Sequence, residues 1–469
     1  MTMPVRAGIA FEANAQVLPS VPHAYWTLER VAHALGTGPD SQAPLGGIST
    51  DTRTLQRGDL FVALRGENFD AHDFLHTARE AGAAALVVSN AQAAVGLGLP
   101  VYVVDDTLVA LGKLANAWRR AWGRSVIAVA GSNGKTSTKD LLKAALNETF
   151  SVHATRGNLN NLIGVPLTIL AIPPETEIAV IELGTNMPGE VARLRDIAQP
   201  DVAVLTSIGE EHLEGLGDLQ GVLREECAVF NGVTLAVLPA KYPEAVAIAQ
   251  AQARATITTG LDDGDAVPQS WHLDDVGRPV IRWGDEEIVL PLRGAHQAAN
   301  AMLALATARA CGAPVMDSAR GLRQMPVPNM RGVWVPLGEA ILINDAYNAN
   351  PPSMRAAFDL LSSIGEGRQR VAIIGSMREL GASSDEQHRS VAAAALASRA
   401  DVIAAVGDFA DAFAAIAPGD SRVVATREFD ELWPQLEPRL SRNAVILLKA
   451  SRGMRLERLV PTLSTWAGA

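Results

Sequence analysis

The sequence predicts an α/β protein of three domains. The chain has 469 residues, too many for one ordinary hydrophobic core. Its composition is that of a globular protein, with 48% hydrophobic and 19% charged residues. Short apolar runs alternate with helical patterns along most of the chain, as in parallel α/β folds. We expect a small N-terminal α/β domain (1–105), a central parallel-sheet domain (106–312) and a C-terminal Rossmann-like α/β domain (313–469).

The N-terminal and central stretches each contain several buried strand patterns. In the N-terminal stretch the predicted elements are strands Leu60–Leu64, Ala83–Val88 and Val101–Val104 and helices His72–Glu80 and Leu108–Trp122. In the central stretch they are strands Ser125–Ala130, Ile178–Leu183, Val202–Ile208 and Leu235–Leu238, short strands within Thr259–Leu292, and helix His296–Ala310. Trp118 and Trp122 lie four residues apart on one helix. That spacing favours a packed apolar stripe over a ligand platform.

The C-terminal stretch begins where the segment GAPV interrupts a helix near Gly312. Its predicted strands are Ile341–Asp345, Val371–Ile374, Val402–Val406, Arg422–Ala425 and Val445–Ala450. Helical patterns separate these strands, so we expect another parallel sheet with crossover helices.

Charge and cysteine content exclude several classes of protein. A net charge of −11 argues against non-specific nucleic-acid binding, which needs a basic surface. Two cysteines, Cys227 and Cys311, cannot form a disulfide framework, and this favours a reducing compartment. The N-terminus lacks the apolar core of a secretory signal, and no run of 18 apolar residues predicts a membrane span. We therefore expect a cytoplasmic protein without membrane insertion.

A phosphate-binding loop follows the strand Ser125–Ala130. Its residues are Gly131, Ser132, Asn133, Gly134, Lys135, Thr136 and Ser137. A strand, a glycine turn and a helix are the context in which backbone N–H groups and a helix N-terminus hold a phosphate. Val129 stands where the longer form of the motif has glycine, so the match is to the shorter G-x-x-G-K-T form. We predict that Lys135 contacts the β- and γ-phosphates of ATP and that Thr136 binds Mg²⁺.

Polar residues follow the next strands of the central stretch. Glu182 ends one apolar strand and His212 follows another, which places both at the edge where parallel sheets bind ligands. Glutamate suits Mg²⁺, whereas histidine is an unusual ligand for it. Both residues are predicted metal ligands. In the segment GNLNN, Asn158 and Asn161 are candidate substrate contacts, and local capping of the turn is the alternative.

The C-terminal stretch contains a third group of candidates. Tyr347, Asn348 and Asn350 are predicted substrate contacts after a strand, and Asp345 is a predicted ATP contact; the alternative is a capped turn. Lys449, Ser451 and Arg452 form either an anion-binding turn or a plain surface turn. The predicted role of Arg331 is to neutralise the γ-phosphate as a cation from another domain.

In this order, these motifs resemble the Mur ligases of bacterial cell-wall synthesis. GSNGKTS is similar to the ATP loop of the family, ELGTNMPGE to its glutamate-bearing strand end and TSIGEEHLEGLG to its histidine-bearing turn. GAHQAANAMLALA resembles the helix whose His296 and Asn300 lie near the nucleotide. The resemblance implies an ATP-dependent peptide ligase with two Mg²⁺ ions, with Lys135, His212, Arg331 and Glu226 as its catalytic residues.

Three segments resemble the subgroup that joins D-alanyl-D-alanine to UDP-N-acetylmuramoyl-tripeptide through an acyl phosphate. They are STDTRTLQRGDLFVALRGENFDAHDF, NDAYNANPPSM and KASRGMRLE. The resemblance implies a monomer in which the C-terminal domain closes over ATP and binds the dipeptide. It also implies that the N-terminal domain binds the UDP end through Ser49, Thr50, Asp51 and Arg53. The third residue of the tripeptide, diaminopimelate or lysine, stays open. The alternatives are another Mur ligase, a folylpolyglutamate synthase, or a regulator that hydrolyses ATP without forming a bond.

The sequence departs from the family at a metal-binding position. The family usually has a carbamylated lysine in the helix after the histidine turn, and Glu226 stands there in DLQGVLREECAVFNG. Glutamate keeps the negative charge but is shorter, by roughly 3–4 Å at bond-length spacing. Our hypothesis is that Glu226 replaces the carbamate. The alternatives are that it is a charge on the helix face or that Glu225 has this role. Three smaller departures are Gln297, Ser376 and Glu211.

Overall fold

The computed structural model describes residues 25–66, 69–327 and 330–468. The N-terminal residues that bear on a secretory signal lie outside these ranges. The chain forms two compact units. The first contains the chain up to Val129, Phe150–Thr185 and Gly189–Ala203, and the second contains Ala130–Thr149, Asn186–Pro188 and Val204–Ala469. Within the described ranges, no helix combines the length and apolar character needed to cross a membrane.

A four-stranded sheet of parallel strands forms the N-terminal part of the first unit. Its strands, in sheet order, are β1 (Ile48–Ser49), β2 (Leu60–Val62), β3 (Ala85–Val88) and β4 (Val101–Val103). The helices of this part are α1 (Leu28–Leu35), α2 (Leu75–Glu80) and α3 (Thr107–Trp122). Asp106 caps α3 through the N–H groups of Leu108 and Val109. Trp118 and Trp122 are both buried, which confirms the prediction that they pack.

The central sheet has six strands in the order β10-β9-β8-β5-β7-β6. They are β5 (Ser125–Ala130), β6 (Val152–Ala154), β7 (Ile178–Glu182), β8 (Val202–Leu205), β9 (Leu235–Pro239) and β10 (Ala255–Thr259). The helices are α4 (Lys135–Leu146), α5 (Gly164–Leu170), α6 (Glu190–Ala198), α7 (Leu213–Leu216), α8 (Leu219–Cys227), α9 (Pro243–Gln252) and α10 (Ala295–Ala310). The antiparallel strands β11 (Ser270–Leu273), β12 (Pro279–Trp283) and β13 (Glu286–Val289) account for the predicted short strands before α10.

The C-terminal sheet also has six strands, in the order β14-β15-β19-β16-β17-β18. They are β14 (Val333–Leu337), β15 (Ala340–Asn344), β16 (Arg370–Gly375), β17 (Val402–Val406), β18 (Val423–Thr426) and β19 (Val445–Lys449). Its helices are α12 (Pro351–Ser363), α13 (Ser384–Ala397), α14 (Phe409–Ile416), α15 (Leu432–Leu436) and α16 (Val460–Ala467). Helix α11 (Val315–Gln324), which precedes this sheet in the chain, packs instead on α4 and β13. Alternate residues of β16 enter two apolar clusters on opposite faces, as parallel sheets covered on both sides require.

One edge of the C-terminal sheet differs from the prediction. β14 pairs antiparallel with β15, so the expectation of a purely parallel sheet was wrong at this edge. A two-residue turn, Gly338 and Glu339, joins the strands, and Gly338 has a φ of +57°. Pro336 lies within β14, and proline is tolerated there because an edge strand leaves one row of N–H groups unused. That proline obscured the strand pattern in the sequence.

The α/β class with N-terminal, central and C-terminal sheets is confirmed. The predicted strands are present, most within two residues of their expected ends. β1, β6 and β10 were not predicted. β1 has only two residues, and nearly all residues of β6 and β10 are only partly buried, so no continuous apolar run marked these strands. The domain boundaries at residues 105 and 312 stay a prediction.

Helix α11 packs closely on α4, the helix that carries the phosphate loop, at Gly321. A Cβ atom there would overlap the carbonyl oxygen of Ala144 in α4. We expect Gly321→Ala to force the helices apart and to lower the free energy of unfolding by about 2 kcal/mol or more. Urea denaturation checks this. The control is Met316→Ala on the exposed side of the same helix, where the side chain is 58% exposed. It should change the free energy of unfolding by less than about 0.5 kcal/mol. Equal effects would contradict the packing argument.

Candidate active site

The phosphate loop has the backbone that its glycines predict. Gly131 has a φ of +119° and Gly134 a φ of +85°. A Cβ on Gly131 would overlap the side chain of Thr206, so this position needs space as well as an unusual backbone. Ser207 holds the loop in place, because its carbonyl accepts from Ser132 N–H and its hydroxyl from Asn133 N–H, both at 2.8 Å.

The loop leads into the N-terminus of α4, whose positive end favours an anion. Thr136 and Ser137 are buried in the first turn of this helix. The buried side-chain nitrogen of Asn133 has no hydrogen-bond partner among the described residues, and a phosphate oxygen would satisfy it. Glycine at 134 also permits the approach of Asn300, since a Cβ would lie 2.9 Å from its Oδ1. The loop therefore fits a nucleotide phosphate.

Lys135 folds back on its own loop. Its Nζ donates to the carbonyl of Gly131 at 2.6 Å and lies 3.3 Å from Oε1 of Glu211. The ammonium group thus lies between the loop backbone and a carboxyl group, where a phosphate could replace these contacts.

Glu226, from α8, lies beneath the loop and is completely buried. Its Oε2 accepts from the N–H of Gly131 at 2.6 Å, and its Oε1 has no hydrogen-bond partner among the described residues. Burial raises the pKa of this carboxyl, although Lys135 and the Gly131 hydrogen bond oppose the shift. The alternative that Glu226 is a charge on the helix face is excluded.

Glu211 is the second buried carboxyl at this site. Burial raises its pKa to about 7, with Lys135 opposing and Glu226 reinforcing the shift. Burial disfavours the ionised forms of both carboxyl groups, and a divalent cation bound beside them would stabilise those forms. Among the described residues, no three His, Cys, Asp or Glu side chains form a metal-binding group.

His212 lies between two carboxylates. Its Nδ1 is 2.5 Å from Oε2 of Glu379, and its Nε2 is 4.0 Å from Oε2 of Glu211. Burial alone would lower its pKa, but the Glu379 hydrogen bond and the two negative charges outweigh burial, so the pKa is raised. Its backbone is left-handed, with a φ of +49°, at the start of α7.

The first turn of α10 contributes three polar side chains. The Nε2 atoms of Gln297 and His296 are 3.2 Å apart, and Oε1 of Gln297 accepts from Asn300 at 3.2 Å. Gln297, one of the departures from the family, therefore links the two predicted ATP contacts of this helix.

The predicted residues after β15 and β19 lie together at the carboxyl end of the C-terminal sheet. Nζ of the buried Lys449 is 2.7 Å from Oδ2 of Asp345 and donates to the carbonyl of Asn348 at 2.9 Å. The guanidinium of Arg331 lies over the Tyr347 ring, 4.0 Å from its centroid. The ion pair joins the end of β19 to the loop after β15, and the cation–π contact joins that loop to Arg331 before β14.

Local hydrogen bonds account for three other predicted residues in this region. Asn350 caps α12 by accepting from Ser353 N–H, so the capped-turn alternative describes its side chain. The hydroxyl of Ser451 donates to the carbonyl of Ala349 at 3.2 Å. Arg452 pairs with Glu457 at 2.6 Å.

In the first unit, Glu182 is buried at the end of β7. Its N–H donates to the Thr155 hydroxyl, and its Oε1 accepts from Nδ2 of Asn160, both at 2.9 Å. Asn161 instead caps α5 through the N–H groups of residues 163 and 164, so local capping describes that side chain. Asn158 is exposed.

The predicted UDP contacts lie at the end of β1. Ser49 is buried, and its hydroxyl donates to the carbonyl of Asp51 at 3.0 Å. Arg53 pairs with Asp51 at 2.5 Å and, mainly through this hydrogen bond, lowers the pKa of that carboxyl to about 2. Thr50 lies between these residues at the same strand end.

Asn160, Glu211 and Glu379 contact predicted site residues but were not themselves predicted. Asn160 was seen in the sequence only as part of the asparagine turn. Glu211 was noted as a departure beside His212, and that was a usable signal. Glu379 gave none, because its contact joins segments far apart in the chain.

Family models match most of the chain. The Mur ligase middle domain matches residues 129–308, the glutamate ligase domain of Mur ligases matches 330–452, and the catalytic domain of the Mur ligase family matches 44–119. The chain belongs to the Mur ligase family.

Full-length relatives of this Mur ligase agree with the assignment. A UDP-N-acetylmuramoyl-tripeptide–D-alanyl-D-alanine ligase of Bacillus subtilis is 36% identical, covering 93% of this chain and 96% of its own. The crystal structure of MurF from Acinetobacter baumannii superposes with a TM-score of 0.87 at 31% identity, covering 94% and 99% of the two chains. MurF ligase from Thermotoga maritima, solved in complex with ADP, gives 0.78 at 25% identity, covering 90% and 98%.

The lack of space for a side chain at Gly131 can be tested through nucleotide binding. We expect Gly131→Ala to abolish detectable ADP binding by calorimetry, because the methyl group would displace Thr206 and the loop with it. Gly232→Ala is the matched control, since Gly232 also has a positive φ but no atom near a new Cβ. It should cost stability without changing ADP affinity. Normal ADP affinity in Gly131→Ala would refute the steric argument.

Proposed function

We propose that this protein is an ATP-dependent ligase that joins D-alanyl-D-alanine to the terminal carboxylate of UDP-N-acetylmuramoyl-tripeptide in peptidoglycan precursor synthesis. The observation that carries the proposal is the match of nearly the whole chain to ligases of this name, combined with an intact phosphate loop. The activity requires a phosphate donor, a carboxylate that becomes the acyl donor and an amine that accepts the acyl group. A nucleotide loop alone would account only for the first of these.

The reaction overcomes the low reactivity of a carboxylate. Transfer of the γ-phosphoryl group to a carboxylate oxygen forms an acyl phosphate and releases ADP. The dipeptide amine then attacks the acyl carbon, forming the C–N bond as the C–O bond to phosphate breaks. The amine loses a proton and phosphate leaves. Because both steps move negative charge, the protein contributes chiefly positioning and charge neutralisation.

Lys135 and the N-terminus of α4 neutralise the phosphates in this scheme. Lys135 exchanges its contacts with Gly131 and Glu211 for phosphate oxygens when ATP binds. Arg331, held by Tyr347, supplies a further positive charge to the γ-phosphate. Bound Mg²⁺ would offset the negative charge of the phosphates. Our candidate metal ligands around the loop are Thr136, His212 and Glu226. Glu182, in the first unit, is a separate candidate ligand.

Substrate contacts are assigned by position at strand ends. Ser49, Thr50, Asp51 and Arg53 would hold the UDP end of the precursor, and Asn158 or Asn161 its peptide. Tyr347, Asn348 and Asn350, with Lys449, Ser451 and Arg452, would form the dipeptide site. Asp345 would contact ATP. The monomeric state, cytoplasmic location and Mg²⁺ requirement remain predictions from the sequence.

A ligation assay tests the function. With ATP, Mg²⁺, UDP-N-acetylmuramoyl-tripeptide and D-alanyl-D-alanine, we expect phosphate release that requires both co-substrates and a product of the ligated mass. Lys135→Ala should lower kcat by about a hundredfold or more, because it removes a charge from the transferring phosphate. Lys143→Ala, an exposed lysine on the same helix, should have near-normal activity.

The outcomes separate the alternatives. ATP hydrolysis indifferent to both co-substrates would indicate a regulator. Ligation of glutamate or diaminopimelate in place of the dipeptide would indicate another member of the superfamily.

We further propose that Glu226 replaces the carbamylated lysine that the family usually has at this position. Its buried Oε1 has no described partner, so a cation bound directly or through water would complete its contacts. A carboxylate needs no carbon dioxide, so activity should be unchanged when bicarbonate is removed.

Glu226→Gln should raise the Mg²⁺ concentration for half-maximal activity by about tenfold, as when groups supporting a metal are lost. Glu244→Gln, on the exposed surface of α9, is the control. An unchanged Mg²⁺ titration in Glu226→Gln would rule out the metal role.

A further inference from the structure

The contact between Glu379 and His212 joins the C-terminal and central stretches within the second unit. Nδ1 of His212 and Oε2 of Glu379 are 2.5 Å apart, the short distance of a charge-assisted hydrogen bond. A second contact supports the first, because the N–H of Glu214 lies 3.5 Å from the carbonyl of Glu379. His212 and Glu379 both have left-handed backbones, with φ of +49° and +66°. Non-glycine residues keep this conformation only where their surroundings enforce it.

Hydrogen bonds anchor the two residues that precede Glu379. The N–H of Met377 donates to Nε2 of the buried His388 at 3.0 Å, and Nδ1 of that ring lies 2.8 Å from the carbonyl of Ser384. The N–H of Arg378 donates to the Ser451 hydroxyl at 2.9 Å. The carboxylate is therefore presented by a fixed turn, although its side chain is 56% exposed.

The geometry determines which nitrogen of His212 is available. Since a carboxylate can only accept, Nδ1 must carry the proton in this hydrogen bond. Nε2 is then the nitrogen left available for a ligand. It faces Glu211, whose Oε2 is 4.0 Å away, and Glu211 also contacts Lys135. A carboxylate that orients a histidine in this way is the usual partner of a metal-binding imidazole.

We propose that Glu379 is a positioning residue that fixes the ring of His212 with Nε2 directed toward the metal and phosphate site beside Lys135. This inference rests on the proposed function. Through this contact, the C-terminal stretch helps to set the geometry of a site whose phosphate loop and candidate metal ligands lie in the central stretch. Glu379 itself does not contact the reacting atoms.

Metal binding measured apart from turnover tests the proposal. Mn²⁺ is titrated into the full-length protein with a non-hydrolysable ATP analogue, and free Mn²⁺ is followed by electron paramagnetic resonance. We expect Glu379→Gln, which keeps the shape and removes the charge, to weaken Mn²⁺ binding about tenfold. Glu379→Asp should recover part of the loss. Glu366→Gln, an exposed glutamate of the same stretch, should bind Mn²⁺ like the wild type.

A kinetic measurement distinguishes positioning from a general loss of structure. In Glu379→Gln we expect kcat to fall while KM for D-alanyl-D-alanine stays the same, with an unchanged melting temperature. If this variant folds poorly, Glu379→Asn serves instead, since asparagine tolerates a left-handed backbone.

Mn²⁺ affinity within twofold of wild type in the folded variant overturns the proposal and indicates an ordinary surface ion pair. The failures of the two proposals are distinguishable. Absence of ligation by the wild type, with the Mn²⁺ difference intact, would refute the proposed function and leave the role of Glu379 standing.

Discussion

Charge balance beneath the phosphate loop constrains the rest of the site. Glu211 and Glu226 are both buried, and Lys135 and His212 are the positively charged side chains that favour their ionised forms. Burial makes their ionised forms costly, and so the carboxyl groups depend on the Gly131 N–H, on Lys135 and on any cation that binds. A nucleotide that draws Lys135 away would remove part of this compensation. Binding of ATP and of a divalent cation should therefore favour each other.

Close packing holds the groups that provide this balance. Because residue 131 is glycine, Thr206, the residue after β8, can lie against the loop. Glycine at 134 leaves space for the side chain of Asn300, and Gly321 lets α11 pack against α4, the helix that carries Lys135. At each position a single methyl group would separate elements that must touch. The loop is thus held both by the chain immediately after β8 and by helices distant from it in sequence.

The sequence was most informative where one segment carries the whole signal. Ser125–Ala130 is a continuous apolar run, and it is a buried strand with the predicted ends. The loop after it was identified because its glycines and lysine are adjacent. Contacts between distant segments were not predictable in this way. Nothing near Glu379 distinguishes it from a surface glutamate, and only the fold brings it to His212. Asn160 and Asn161 are a second example of contacts that the sequence could not predict. Composition does not tell which asparagine caps α5 and which one donates to Glu182.

The departures from the family at Glu211 and Glu226 are best understood together. A glutamate at 226 reaches less far than a carbamylated lysine, and its Oε2 is already bound to Gly131. One oxygen remains to take over the charge of the longer group. Glu211 adds a second buried carboxyl group, which contacts Lys135 and lies close enough to Glu226 for that residue to raise its pKa. If Glu226 takes the place of the carbamylated lysine, as proposed above, two short carboxyl groups from different segments would share the charge of that longer side chain.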